Sequence, residues 1–313
     1  MSVSSTGEFD LIQRVTARLG TAATTIVGPG DDAALVSATD GRVLASCDVL
    51  VDGRHFRRDW ASATDIGHRA AAANLADIAA MGGVPTALLV SLCLPPETDP
   101  AWPEQLADGL GAECESVGAA VVGGDLSAST VITIAVTALG DLRGRPPVLR
   151  SGARGGDVVA MAGRLGPAAA GFTVLSRGFR SPRALVEAYR RPVVPYDAGP
   201  LAAELGATAM IDVSDGLLAD VGHVAEASGV AVDIRRDAFE IGDPMRDAAS
   251  ALGVDPHVWV LTGGDDHALV ATFPPTVELP EPWRVIGRVL PGSGVTVDGR
   301  RFTDAPPGWD HFR

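Results

Sequence analysis

The chain contains no lysine, and all 25 of its basic residues are arginine. That excludes a P-loop lysine, the strand lysine of protein kinases and any Schiff-base mechanism. Phosphate chemistry here would have to rest on arginine, main-chain N–H groups and metal ions. Cysteine is scarce as well. Cys47, Cys93 and Cys114 are odd in number and far apart, forming neither a CxxC pair nor a disulfide framework, so a reducing cytoplasm is expected. The net charge of −14 makes nucleic acid and anionic membrane unfavourable partners. No basic segment followed by an apolar core opens the chain, so no signal peptide is expected. The longest apolar run, Ile78 to Leu94, is broken by Gly82, Gly83 and Pro85 and reads as a helix end, a turn and a buried strand, not a membrane span. GxSxG, HExxH and paired-cysteine motifs are also missing, which leaves esterase and zinc chemistry unsupported.

What is present suits a globular protein. The 313 residues are 46% hydrophobic, enough for two domains with real cores. Glycine and proline are dispersed as turns, and no fixed-period repeat appears. Helical spacing predicts an amphipathic helix over 8–19, and a second helix capped by Thr64 and Asp65 runs to Met81. Strands are expected at 42–47, ending at Asp48, then at 88–94, 119–122 and 131–139. Around 141–156 the composition turns to Gly, Arg and Pro. Beyond it, strands near 158–162, 209–213, 230–234, 267–273, 284–289 and 295–298 alternate with helices near 167–177, 182–190 and 217–228. The expected fold class is mixed α/β in two domains, 1–145 and 146–313.

Glycine and aspartate recur where apolar runs should stop: Gly30-Asp31-Asp32, Ser46-Cys47-Asp48, Gly123-Gly124-Asp125, Asp212-Val213-Ser214-Asp215-Gly216 and Gly263-Gly264-Asp265-Asp266. Each alone is an ordinary turn. Together they suggest carboxylates converging on hard cations such as Mg²⁺, which takes oxygen ligands and keeps substrate phosphate in its shell. Without cations, each close pair of carboxylates would repel by roughly 1–4 kcal/mol.

Asp77, near the end of the helix that carries Asn74 one turn earlier, faces the unfavourable end of the helix dipole, which favours a metal ligand over a casual surface acid. Arg150, beside the domain boundary, could fork onto phosphates, and His55 follows the Asp48 strand closely. Gly28-Pro29-Gly30-Asp31-Asp32-Ala33 superficially matches GxGxxA, but two aspartates there would face the pyrophosphate and no long helix opens after it. A carboxylate-rich magnesium phosphatase satisfies the same pattern.

Ten motifs occur in order: GEF at 7–9, GDDAA at 30–34, SCD at 46–48, GRHF at 53–56, NLADIAAMG at 74–82, GGD at 123–125, RSGA at 150–153, DVSDGLLADVGH at 212–223, LTGGDD at 261–266 and GWDHF at 308–312. Across nearly the whole chain this set resembles the thiamine-monophosphate kinases, within the aminoimidazole-ribonucleotide-synthetase superfamily. The resemblance implies two α/β domains and a homodimer joined through the N-terminal domains. It also implies ATP-dependent phosphorylation of thiamine monophosphate to thiamine diphosphate. It places Asp32, Ser46, Cys47, Asp48, Asp77, Asp125, Asp212 and Asp215 at magnesium positions. ATP contacts fall to Gly124, Asp125, Arg150 and Ser214, and substrate contacts to His55, Asp265 and Trp309. A cationic thiazolium and a flat pyrimidine suit Asp265 and the Trp309 face, although Trp309 could equally anchor the C-terminus.

Three departures from the family pattern stand out. Cys47 replaces the usual threonine, Asp265 a glutamate, and His267-Ala268 a common Tyr-Glu pair. A selenophosphate synthetase would need a reactive cysteine or selenocysteine followed by lysine near its N-terminus, and neither is here. Phosphoryl transfer rests on positioning and charge neutralisation, so direct in-line attack by the substrate phosphate is the expected chemistry. A phosphatase, or a silent nucleotide- or thiamine-binding protein, is the competing expectation.

Overall fold

A computed structural model describes residues 8–29 and 33–309. Contacts divide the chain into two compact units, one of Met1–Ile78 and Gly83–Gly144, the other of Ala79–Gly82 and Arg145–Arg313. The fold class is mixed α/β, as expected.

In the first unit, helix α1 (Glu8–Thr16) precedes a short antiparallel pair, β1 (Thr25–Val27) and β2 (Leu35–Val36). Then come β3 (Leu44–Val51), helix α2 (Ala63–Ala80), β4 (Val84–Leu94), helix α3 (Ala101–Ser116), β5 (Ala120–Ala128) and β6 (Thr133–Asp141). Four strands form a sheet ordered β3-β6-β4-β5, in which only the β4–β5 pairing is parallel. Strand alternation buries Leu50, Ile134, Val136, Ala138, Leu88 and Leu92 on one face. The other face stays partly open, with Ala45, Cys47, Val49, Leu89 and Ser91 exposed.

Helix α2 buries ten alanine, leucine and isoleucine residues. Its start is fixed by a capping box: Ser62 Oγ accepts the Asp65 N–H at 3.2 Å, and the Asp65 carboxylate accepts the Ser62 N–H at 3.0 Å. The cap is therefore Ser62 and not Thr64, because only Ser62 lies outside the helical turn. Helices α2 and α3 touch main chain to main chain. A Cβ on Gly67 would lie 2.2 Å from Leu106 O, and one on Gly109 2.0 Å from Thr64 O. That requirement explains why α3 carries glycines that mask its periodicity in sequence.

β3 does not stop at Asp48. Every residue from Leu44 to Val51 pairs with β6, and an edge strand tolerates an aspartate whose side chain reaches solvent. Asp125 likewise lies inside β5 and not at its end.

The second unit holds β7 (Val158–Ala162), α4 (Pro167–Ser176), α5 (Arg183–Arg190), α6 (Ala198–Glu204), β8 (Ala209–Asp212), α7 (Leu217–Ser228), β9 (Ala231–Ile234), α8 (Asp243–Leu252), α9 (Pro256–Thr262), β10 (Leu269–Phe273), β11 (Arg284–Leu290) and β12 (Gly294–Val297). Six strands are ordered β12-β9-β11-β7-β10-β8, antiparallel except for β12 with β9. The core includes Ala160, Ala162, Leu269, Ala271 and Phe273, with Trp283 edge-on to Phe273 at 5.4 Å. Edge strand β8 ends at Asp212, and the loop after it leads straight into α7.

Candidate active site

On the first unit, residues two apart on β3 meet residues three apart on α2, as a strand of period two lying along a helix face allows. Ser46 Oγ donates to Asp77 Oδ2. The main-chain N–H of Asp48 donates to Asn74 Oδ1 at 3.1 Å, while Asn74 Nδ2 donates to Ala70 O at 2.9 Å. Asn74 is wholly buried, and this clamp is the reason for an amide in its apolar surroundings. It brings Ser46, Asp48 and Asp77 to one place. His55 closes the turn after β3, its Nδ1 accepting the Val51 N–H at 3.0 Å. Cys47 alternates to the opposite, open face of the sheet, so only its main chain lies with Ser46 and Asp48.

Asp125 is elsewhere. By register, Val49, Ala135, Ser91 and Asp125 form one row across the sheet, which puts Asp125 on the open face with Cys47. β3 and β5 are opposite edges, about 14 Å apart at a strand spacing of nearly 5 Å. Gly124 pairs with Val90 on the same strand as Asp125. Asp32 lies outside the described residues. Among the described residues, no three His, Cys, Asp or Glu groups of one chain are gathered so as to hold a metal ion.

On the second unit, two loops run antiparallel beyond β8 and β10. Val213 N donates to Ala268 O at 2.8 Å, His267 N to Val213 O at 3.1 Å and Asp265 N to Ser214 O at 2.9 Å. A Cβ on Gly264 would lie 2.1 Å from Ser214 O, so the contact demands glycine. Asp220, one turn into α7, accepts the N–H of Asp215 at 3.1 Å and of Gly216 at 3.0 Å. Trp309 N donates to Asp215 O at 2.9 Å, which ties the C-terminal segment to the same loop and leaves the indole exposed. Asp212 is paired instead with His267, Oδ2 to Nδ1 at 3.1 Å. Arg150 is exposed, and its main-chain O accepts from Ser228 Oγ at 3.2 Å. Its neighbour Leu149 lies along β8, accepting the Met210 N–H at 3.0 Å.

Burial, and then the charge of Asp212, push Asp220 up to about 7 against the opposing N–H groups of Gly216 and Asp215. Burial likewise pushes Asp266 up to about 7, although it accepts the N–H groups of Gly166 and Ala168 at the start of α4. Motif reading passes over Asp220 and Asp266. An acid four residues after a glycine that opens a helix, with no Ser or Thr cap, is the signal that finds the first.

The donor set is hard oxygen, from carboxylates and the Ser46 hydroxyl. The negative charges of Asp212 and Asp215 both raise Asp220. Both features fit Mg²⁺.

Residues 30–142 match the family model for AIR synthase related protein, N-terminal domain. The fold is thus that of the AIR-synthase-related class. A thiamine-monophosphate kinase of Mycobacterium tuberculosis is 49% identical over 308 residues, covering 98% of this chain and 92% of that protein. The crystal structure of thiamine-monophosphate kinase from Stenotrophomonas maltophilia K279a superimposes with a TM-score of 0.82 at 32% identity, covering 96% of this chain and 98% of that one. AaThiL complexed with AMPPCP and TMP gives 0.81 at 34% identity, covering 100% and 99%. The chain belongs to the thiamine-monophosphate kinase family and is, accordingly, a phosphotransferase. No described helix is long and apolar enough to cross a membrane.

Proposed function

We propose that this protein transfers the γ-phosphoryl group of ATP to thiamine monophosphate in the cytoplasm, giving thiamine diphosphate and ADP with magnesium required. The observation that carries this reading is 49% identity to a thiamine-monophosphate kinase over 98% of this chain, together with likeness to a relative solved with AMPPCP and TMP. A phosphate oxygen of thiamine monophosphate attacks Pγ in line, the bond from Pγ to the β,γ-bridging oxygen breaks, and ADP leaves with that electron pair. Bound Mg²⁺ neutralises phosphate charge during this exchange.

Each half contributes its own groups. Asp32, Ser46, Asp48, Asp77 and Asp125, with the main chain of Cys47, hold cations from the first. Asp212 and Asp215 do so from the second. Gly124, Asp125, Arg150 and Ser214 contact ATP, Arg150 as a guanidinium fork. His55 and Asp265 take the substrate, Asp265 facing its cationic ring, and the exposed Trp309 indole stacks on it.

Asp48 and Asp125 cannot share ions within one chain, since they occupy opposite sheet edges. A homodimer resolves this. Two copies packed through the open face, where Val49 and Leu89 are 47% and 37% exposed, about a two-fold axis along the strands would set β5 of one over β3 of the other, bringing Asp125 of one copy to the Cys47 side of the strand that carries Asp48.

The purified protein is expected to form thiamine diphosphate and ADP one for one from ATP, Mg²⁺ and thiamine monophosphate, and nothing with the metal chelated. Release of inorganic phosphate without thiamine diphosphate would favour the phosphatase reading.

A further inference from the structure

His267 is a buried imidazole that the proposed chemistry leaves unused. It is 6% exposed, and Asp212 beside it is 4% exposed. Its φ of 51° is in the left-handed region, as is the 67° of Asp265, a conformation that non-glycine residues keep only when their surroundings enforce it. Here the enforcement is visible. His267 N is tied to Val213 O and Ala268 O accepts from Val213 N, while the Asp266 carboxylate between the two strained residues holds the N–H groups of Gly166 and Ala168. The outcome is that Nδ1 of His267 meets Oδ2 of Asp212 at 3.1 Å. An ionised carboxylate only accepts, so Nδ1 carries the proton. Oδ1 of Asp212 makes no hydrogen bond among the described residues. Asp215 and Asp220 crowd the same end of β8 with negative charge, and an unoriented carboxylate there could rotate either oxygen inward.

We propose that His267 is a positioning residue for Asp212, occupying Oδ2 so that Oδ1 is presented to a divalent cation. This rests on the reading of Asp212 as a cation ligand. Partners that hold a ligand in place typically change metal affinity or activity by about ten- to a hundredfold when lost.

The test titrates Mn²⁺, a paramagnetic hard-oxygen substitute for Mg²⁺, into the full chain with AMPPCP present, read by electron paramagnetic resonance. The sites lost in Asp212→Asn define those to compare. His267→Gly, which suits a positive φ, and His267→Leu, which keeps volume but has no donor, are expected to weaken those sites about ten- to a hundredfold. His267→Asn, which donates from its amide and tolerates the same φ, is expected to restore most of the affinity. Wild-type affinity in a folded donor-less variant overturns the assignment. So does failure of both donor-less variants to fold, which would make His267 a structural pin. If Asp212→Asn itself binds Mn²⁺ like wild type, the cation reading of Asp212 is what fails.

Discussion

Asp48 and Asp125 stand exposed on edge strands, and the Asp48 main chain is held by Asn74. Asp212, Asp220 and Asp266 are 4%, 3% and 7% exposed, and each gives at least one oxygen to a protein donor, whether imidazole or main-chain N–H. A carboxylate can be withdrawn from water only when donors replace the water. The first unit therefore carries acids still able to meet hydrated ions, while Asp220 and Asp266 of the second fix the shape of loops. Asp212 stands between these uses, half committed to His267.

If that contrast is right, asparagine at the ion-binding acids costs activity, while asparagine at a buried loop acid changes stability. Asp48→Asn and Asp212→Asn should each lower the rate of thiamine diphosphate formation by about a thousandfold, since a metal's charge stabilisation is worth several kcal/mol. Retained activity in either would remove that residue from the ion site. Arg150→Ala should raise the ATP concentration needed for half-maximal rate by about ten- to a hundredfold, the worth of a charged hydrogen bond. An unchanged requirement breaks the assigned contact.

The buried acids predict a pH effect on stability. The folded-state pKa of Asp266 is raised from the usual carboxylate range to about 7, so the fold favours its neutral form. Its contribution is complete below the unfolded value and is lost as pH rises through about 7. Urea midpoints of wild type should therefore show a downward component between pH 5 and 8 that Asp266→Asn flattens; parallel curves would contradict this. The smallest effect concerns thiols. Burial pushes Cys114 up to about 12, so it should resist alkylation at pH 8 until the protein unfolds. Cys47, on the open face, should react faster as dilution separates the copies.

The acidic motifs are legible because, although each Gly-Asp pair alone is an ordinary turn, ten motifs in one order specify a family. Strand boundaries are less legible. Asp48 and Asp125 look like strand ends only because polarity interrupts an apolar run, whereas their pairing with β6 and β4 depends on residues far along the chain. Helix α3 is hidden by Gly109, whose purpose is the close approach to Thr64. Neither Asp220's hold on the Asp215 loop nor the pairing of His267 with Asp212 can be read from spacing, because both depend on a loop crossing formed after β8 and β10 align.

Sheet order predicts that ions are held by acids from two copies, and mixed dimers test this. Asp48→Asn and Asp125→Asn proteins, each nearly inactive alone, are unfolded together, refolded as a mixture and assayed for thiamine diphosphate. If the two aspartates meet across copies, half of the dimers are mixed and each mixed dimer carries one intact site, so activity returns to about a quarter of wild type. No recovery, with mixed dimers demonstrated by mass, would place both residues in the same copy's site and contradict the account.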